Sequence, residues 1–597
     1  MKRMILVFLM LCGVGFGADT TYYVNPDVAP GGSGTSAIDP IDTVNGAIVL
    51  AQADADTSHT IYLMAGTYNE DQGTGGIWSL GADDIIFTPY NSNVNLVLSN
   101  AAEGIYSRNN ATWIFESNGS NILTITTAAN RFLYQRFYID GENQVKFNNC
   151  VINHTGTGNF VYGDLNAGGS LRETHFNGCT VTTASASGCL LYDMAEISVK
   201  NSSITASAAV HLFSLFGTIP TFKVENNTKL EASNTGLMCK ISETTVDSMA
   251  NFIWRGNTDC KAGKHGVHVK THLVENVDIS GNTFVVTASS GQEIGVGVGY
   301  EYSDQTAWAA NGSYTVGQLR ANEGTGEIGI FECVTAHTDV AGDKEPGTSS
   351  IWRQYWKFLT ISGNINVSNN NISYTTEDDS HAVFLGYGAN NADVYGNFAT
   401  GGNYQFVIKS ESNNVRGNIG IGANPFSIFA GRYNKVVNNT GYATSGNAFV
   451  RGNQTAGRAT YGNQIYNNIF VQDNSAGFAH SDESNPDITG QTDYVDYNCF
   501  FKTTGTGPFA LNGVKNTFAL YQAEWATVSA MFPDNDENSL YEDPQLDANY
   551  VPQNPAVKTG GKPDINGNPT PMGAISVPST TGKRSIYGTK RSIYGSN

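Results

Sequence analysis

The sequence predicts an all-β chain wound as a parallel β-helix or a comparable solenoid, and three observations carry that prediction. Between Asn391 and Phe470 a branched apolar residue is followed three positions later by Asn, at Val394/Asn397, Val415/Asn418, Val436/Asn439 and Ile465/Asn468. These repeats are 21, 21 and 29 residues apart, the length of one solenoid coil and not of a sandwich or a βαβ unit. The pattern can be followed backwards with more scatter through Val367/Asn370, Ile279/Asn282, Val224/Asn227, Val199/Ser202, Phe176/Cys179 and Phe147/Cys150. Finally, only 14% of the 597 residues are charged and 66 are Gly, with Val, Ile, Phe and Tyr in short runs between Asn, Gly, Thr and Ser. That composition favours many short strands with frequent turns. The length exceeds what one ordinary core uses, whereas a solenoid grows by addition.

Each position in the repeat has a physical task. The branched or aromatic residue enters the core from a short strand. The Asn stands where the chain turns, tolerates left-handed backbone geometry, and can bond the equivalent turn one rung away through its amide. Cys150 and Cys179 fall at that turn position on adjacent rungs, where small side chains stack without needing a disulfide.

At the N-terminus, Lys2 and Arg3 precede an apolar run from Met4 to about Gly15 and the small residues around Gly17 and Ala18. Residues 1–17 therefore read as a secretory signal, and the chain as secreted, periplasmic or held at the cell surface. Cys12 follows Leu11 rather than the small residue a lipid-anchor site wants. No later segment is apolar enough to span a membrane. Without Lys2 and Arg3 the balance is 31 basic against 53 acidic residues, which excludes a general nucleic-acid binder. The seven other cysteines are scattered, with no CxxC pair or Cys/His cluster to suggest zinc; they read as buried small side chains. The body of the coil is assigned to 18–482, a closing segment with a basic tail to 483–597, and the chain to a monomer.

From Thr21 to Glu70 the chain gives Tyr22-Tyr23-Val24-Asn25-Pro26, a short helix over Ile41 to Ala51, a strand at Ile61 to Met64, and Ala65-Gly66-Thr67-Tyr68. This resembles the N-terminal signature of secreted bacterial proteins of the pectate-lyase-like, right-handed parallel β-helix superfamily. The resemblance implies a right-handed coil whose helix covers the open first rung, an edge that would otherwise invite pairing. Asp543-Pro544-Gln545-Leu546, Asn554 to Gly561 and Asp564 to Gly573 resemble the closing segment of many bacterial β-helix proteins. Beyond it Lys-Arg-Ser-Ile-Tyr-Gly occurs twice, at Lys583 to Gly588 and Lys590 to Gly595, as an attachment element, a strap or a loose end. Between residues 291 and 356 the spacing breaks, and the segment reads as a long excursion or paired strands leaving one side of the coil. Such excursions are where substrate contacts usually sit.

Rungs about 4.8 Å apart bring residues 20 to 30 positions apart together, so candidate chemistry is sought at equivalent rung positions. Lys409-Ser410-Glu411-Ser412-Asn413-Asn414-Val415-Arg416-Gly417-Asn418 resembles a motif of the alginate lyase and chondroitinase B family of polysaccharide lyases. The resemblance implies that Lys409 is the base taking the C5 proton of a uronate, with Arg416 among the assisting cations. In many members calcium neutralises the carboxylate, which makes calcium the implied cofactor. Elimination needs this arrangement because C5 is acidic only when the adjacent carboxylate is neutralised. On the following rung the family's Arg and His positions fall on Phe429 and Ala430, and Arg432 stands nearby as a replacement cation.

Glu377-Asp378-Asp379-Ser380-His381 is a second candidate. Its adjacent aspartates resemble the paired acids of polygalacturonase-like hydrolases, in which one carboxyl protonates the leaving oxygen and another activates water. Glu377, Asp378 and Asp379 equally suit calcium or a wet turn, and His381 would contact substrate. A third candidate is Lys261 to His272. Strand alternation places His268, Lys270 and His272 on one face, a cationic patch with Lys264 and His265 for an anionic sugar, with His268 as a base near neutral pH. Trp308 and Tyr404 belong to a mid-chain aromatic set suited to stacking on sugar rings. The expected function is cleavage of an acidic polysaccharide, by a lyase ahead of a glycoside hydrolase, with a non-enzymatic carbohydrate-binding or adhesion protein as the rival.

Overall fold

The computed structural model describes residues 20–574 apart from 55, 71–82, 100–101, 108–110, 136–141, 164–170, 186–187, 193, 207, 210, 234–235, 243–245, 288–292, 301–305, 323–328, 341, 347, 362, 376–379, 453–459, 483–492 and 530. Residues 1–17, expected to be a secretory signal, the carboxylates Glu377, Asp378 and Asp379, and the repeated basic tail lie outside the described residues. The described chain is all-β, with large parallel sheets compatible with a solenoid-type architecture. Among the described residues no helix is long and apolar enough to cross a membrane. The chain divides into two units, 1–156 with 166–180 and 157–165 with 181–597.

In the first unit the parallel strands Thr20–Val24, Ser58–Leu63, Asp84–Pro89, Thr112–Glu116, Glu142–Asn148 and Leu171–Asn177 align one apolar column, Tyr22, Ile61, Phe87, Phe115, Phe147 and Phe176. The last four rings stack at centroid spacings of 4.7, 5.2 and 5.0 Å, each such pair adding about 1 kcal/mol beyond its burial. The helix runs Val44–Ala53 and not from Ile41. Ile41 instead bridges Val24, and Thr43 caps the helix by accepting from the Gly46 amide at 3.1 Å. Cys150 and Cys179 are buried and not joined in a disulfide, and their thiols donate to the Phe115 and Phe147 carbonyls at 3.2 Å.

In the second unit the column is Val199, Val224, Trp254, Ile279, Val367, Val394, Val415, Val436, Ile465 and Val495. Three positions after each stands the turn residue. From Asn227 through Asn257, Asn282, Asn370, Asn397, Asn418, Asn439, Asn468 and Asn498, each side-chain amide donates to the next amide oxygen at 2.8 to 3.0 Å. The left-handed residue is not the ladder Asn but the one before it, such as Asn369, Gly396, Gly417, Asn438 and Asn467, with φ of 54° to 63°. The turn is made there, which leaves the next Asn fully buried and extended toward its neighbours. A second, shorter ladder runs Asn413, Asn434, Asn463, Asp493 at 3.0 to 3.2 Å.

The excursion is antiparallel where described. Ser313–Tyr314 pairs with His337–Thr338, and Leu319–Asn322, Gly329–Cys333 and Trp356–Phe358 form a three-stranded sheet. Tyr314, Phe331, Cys333, Trp352 and Trp356 make its core, with Trp308, Tyr355 and Phe358 against it. Toward the C-terminus, helix Phe518–Val528 buries Tyr521, Trp525 and Val528.

Candidate functional site

The site lies in the second unit, where one sheet turns into the next. The strands Ser380–Leu385, Tyr404–Ile408 and Asn424–Phe429 run parallel, with Leu385, Ile408 and Ile428 in register. Lys409 follows Ile408 directly, and its amide donates to the Leu385 carbonyl at 2.7 Å. The same register puts Phe429 on the next rung beside Lys409, as the sequence alignment placed it. Arg432 reaches the site by another route. Ala430 and Tyr433 both adopt left-handed backbone, φ 57° and 56°, and between them Arg432 is carried back to bridge Glu411.

A shallow, open depression results, lined by Phe358, Tyr387, Gly388, Asn390, Lys409, Ser410, Glu411, Ala430 and Arg432. Its floor is three successive rungs. Lys409 is 7% exposed and Arg432 8%. The Lys409 ammonium stands 5.4 Å from the Phe384 ring centre. The Arg432 guanidinium lies 3.7 Å from the Glu411 carboxylate and 4.8 Å over the Tyr461 ring. With Lys409 and Arg432 against the single carboxylate of Glu411, the lining carries one net positive charge in an acidic chain.

Lys409 and Arg432 are thus brought together, and Arg416 is not among the lining residues. Arg416 ends the strand Asn414–Arg416, bonds Asp393 at 2.9 Å and stacks 4.4 Å over Tyr395. The other matching residues of that motif have structural work: Asn413 donates to the Ser410 hydroxyl at 2.9 Å and to Asn434, and Asn418 belongs to the main ladder. Glu411 and Asn390 were given no role in the sequence, and Tyr387 figured only as one of the mid-chain aromatic set. The signal was there, because Asn390, Glu411, Arg432 and Tyr461 recur at 21, 21 and 29 residues, the spacing of the Asn repeat.

The histidine patch differs from its expectation. His268 is 4% exposed, and its Nε2 donates to the Gly299 carbonyl at 3.0 Å, which leaves Nδ1 buried with no hydrogen-bond partner. Burial first, then Lys270, hold its pKa well below the ordinary imidazole range. Burial and Lys270 push His265 down to about 3, and burial and Lys409 do the same to His381. These rings are neutral at neutral pH, so the patch is cationic only through its lysines, Lys264 at the surface and Lys270 half-buried. His268 presents no lone pair to solvent and is not placed to act as a base. His381 stacks 5.5 Å from Phe384 and packs edge-on to Tyr404, while Tyr404 is half-buried against Phe429 at 5.9 Å. Trp308 packs in the excursion core, away from the depression's lining. Among the described residues no group of three or more His, Cys, Asp or Glu side chains is placed to hold a metal ion.

No known family model matches this chain, and no curated protein matches it.

Proposed function

We propose that the protein is an exported, right-handed parallel β-helix that cleaves an acidic polysaccharide by β-elimination at the depression around Lys409. One observation carries this reading: Lys409, Glu411 and Arg432, from two adjacent rungs, converge on a pocket walled by Tyr387 and Phe358. A uronate needs a cation at its carboxylate and a base at C5. Arg432 is the group for the first and Lys409 for the second, and the half-buried ring of Phe358 suits the apolar face of a sugar ring. In the step, neutral Lys409 accepts the C5 proton, the C5–H electron pair forms the C4–C5 double bond, and the C4–oxygen bond breaks, the departing oxygen taking its proton from water. Lys409 acts in this step as the free amine, so Arg432 is the cation left to face the substrate carboxylate, beside Glu411 at 3.7 Å. Calcium enters only as a condition to be varied, since its expected ligands, Glu377, Asp378 and Asp379, lie outside the described residues.

The test is incubation of the purified protein, with and without calcium, against alginate, pectate, chondroitin sulfate, dermatan sulfate, sulfated algal glycans and neutral glycans, following the ultraviolet absorbance of unsaturated product and the release of reducing ends. Absorbance that is lost in Lys409→Ala and Arg432→Ala but kept in Arg416→Ala is the expected result, because Arg416 faces Asp393 and Tyr395. Reducing ends without absorbance would replace elimination by hydrolysis and turn attention to Asp378 and Asp379. Binding without product would make the chain a carbohydrate-binding or adhesion protein.

A further inference from the structure

Resting on that site, we infer that the excursion makes the pocket a receptor for the end of a glycan chain rather than for its interior. The lining crosses the rungs, from Tyr387 through Lys409 to Arg432. A groove running that way would continue, on the side toward the N-terminus, over the rung that carries Val298 and Tyr300, since Val298 pairs with Leu385. It cannot. Tyr300 and Tyr387 form an antiparallel bridge, with both amides donating across it at 2.9 and 2.8 Å, and Tyr300 is wholly buried.

What covers it is the root of the excursion. Leu359 packs into one cluster with Tyr300, Tyr387 and Ile330. Its amide donates to Ile330 at 2.9 Å, and that of Ile361 donates to Gly388 at 2.9 Å. Phe358, held 5.2 Å from Phe331 in the antiparallel sheet, then stands as the end wall of the depression. The wall is fixed by its sheet pairing on one side and by the Ile361–Gly388 bond on the other, so it is part of the resting structure and needs no closure. Lys409 sits one rung, roughly 4.8 Å, from Tyr387, which places the reacting link close to the terminus held against Phe358. Release of small units from one end follows from that distance.

The experiment compares two preparations of whichever acidic polymer the protein binds or cleaves in the panel above, intact and partly hydrolysed to about ten times as many chain ends, at equal mass and below saturation. A chain-end site responds to the number of ends, so binding or initial rate rises about tenfold by mass action, with small products from the first time point. An unchanged signal with a ladder of long oligosaccharides overturns the end-on site and leaves the elimination reading standing. Absence of both binding and cleavage on every polymer overturns that reading and this one with it. Phe358→Ala, which lowers the wall, is expected to bring the tenfold ratio toward one; a ratio that stays at tenfold in a folded variant would show that Phe358 does not set the limit.

Discussion

Substituting one residue of the asparagine ladder measures how much of the fold the ladder holds, and Asn418→Ala is the cleanest case. Asn418 is wholly buried. Its oxygen accepts from the Asn397 main-chain and side-chain N–H groups, each at 2.9 Å, and its own amide donates to Val394 and Asn439 at 3.0 Å. Truncation removes all four bonds. Asn397 keeps a side-chain bond to Val367 at 2.9 Å, and the Asn439 oxygen keeps the Asn418 main-chain amide at 3.0 Å. The buried Asn397 main-chain N–H loses its acceptor, a cost of about 1–3 kcal/mol, and the remaining lost bonds bring the total to roughly 3–5 kcal/mol. Because a repeat touches only its neighbours, the loss is local. Hydrogen exchange should accelerate across residues 394–439 and leave the strands of the first unit unchanged. Asn414→Ala, which removes a part-exposed bond to Asp393 at 2.9 Å, is the control and should cost less than about 1 kcal/mol. Equal denaturation midpoints for the two variants, or exchange unchanged around Asn418, would refute the argument that the ladder holds the turn.

Two further predictions concern the buried polar cluster at the C-terminal helix. Asp536 is fully buried, accepting from Tyr521 and Ser539 at 2.6 Å and from Trp525 at 3.1 Å, and burial together with nearby Asp496 pushes its carboxyl up to about 7 against the opposing hydrogen bonds. The folded chain therefore keeps a proton that the unfolded chain releases near 3.8. Stability from this group is full below that value and falls as pH rises toward 7, by up to about 4 kcal/mol. Asp536→Asn should flatten the melting-temperature profile over that window, and profiles of equal slope would refute the assignment. Arg451 is wholly buried between Asp482 and Asp493, the latter at 2.6 Å, with Trp525 stacked at 5.1 Å. Arg451→Met should destabilise by about 3–5 kcal/mol because two buried carboxylates lose their counter-charge. Adding Asp482→Asn and Asp493→Asn should restore part of that loss in thermal unfolding, and no restoration would mean that packing against Trp525, not charge, is what the arginine supplies.

The legible part of the fold was the part that repeats. A column such as Val394, Val415 and Val436 must recur because each residue fills the same core slot, and its Asn must recur because the amide has a partner only if the next rung offers one. The Trp254/Asn257 and Val495/Asn498 rungs obey the same rule and were missed, although their intervals of 25 to 30 residues resemble those of rungs that were read. The second ladder was hidden because Asn413, Asn434 and Asn463 stand five residues before the first and look like ordinary turn residues. The site was legible only as far as it shares that periodicity. Lys409 was found by resemblance, but the same resemblance pointed to Arg416, whose side chain a three-residue strand turns toward Asp393. Arg432 could not be placed from spacing alone, since its direction depends on left-handed backbone at Ala430 and Tyr433, residues that seldom adopt it. The histidines failed for a different reason: alternation predicts which face a side chain takes, not how deeply the neighbouring rungs bury it. His268 lies under Phe384, a residue 116 positions later that no local pattern connects to it. What stacked parallel strands write plainly is their repeat; the candidate site sits where the stacking is interrupted, at the left-handed turns and beside the excursion.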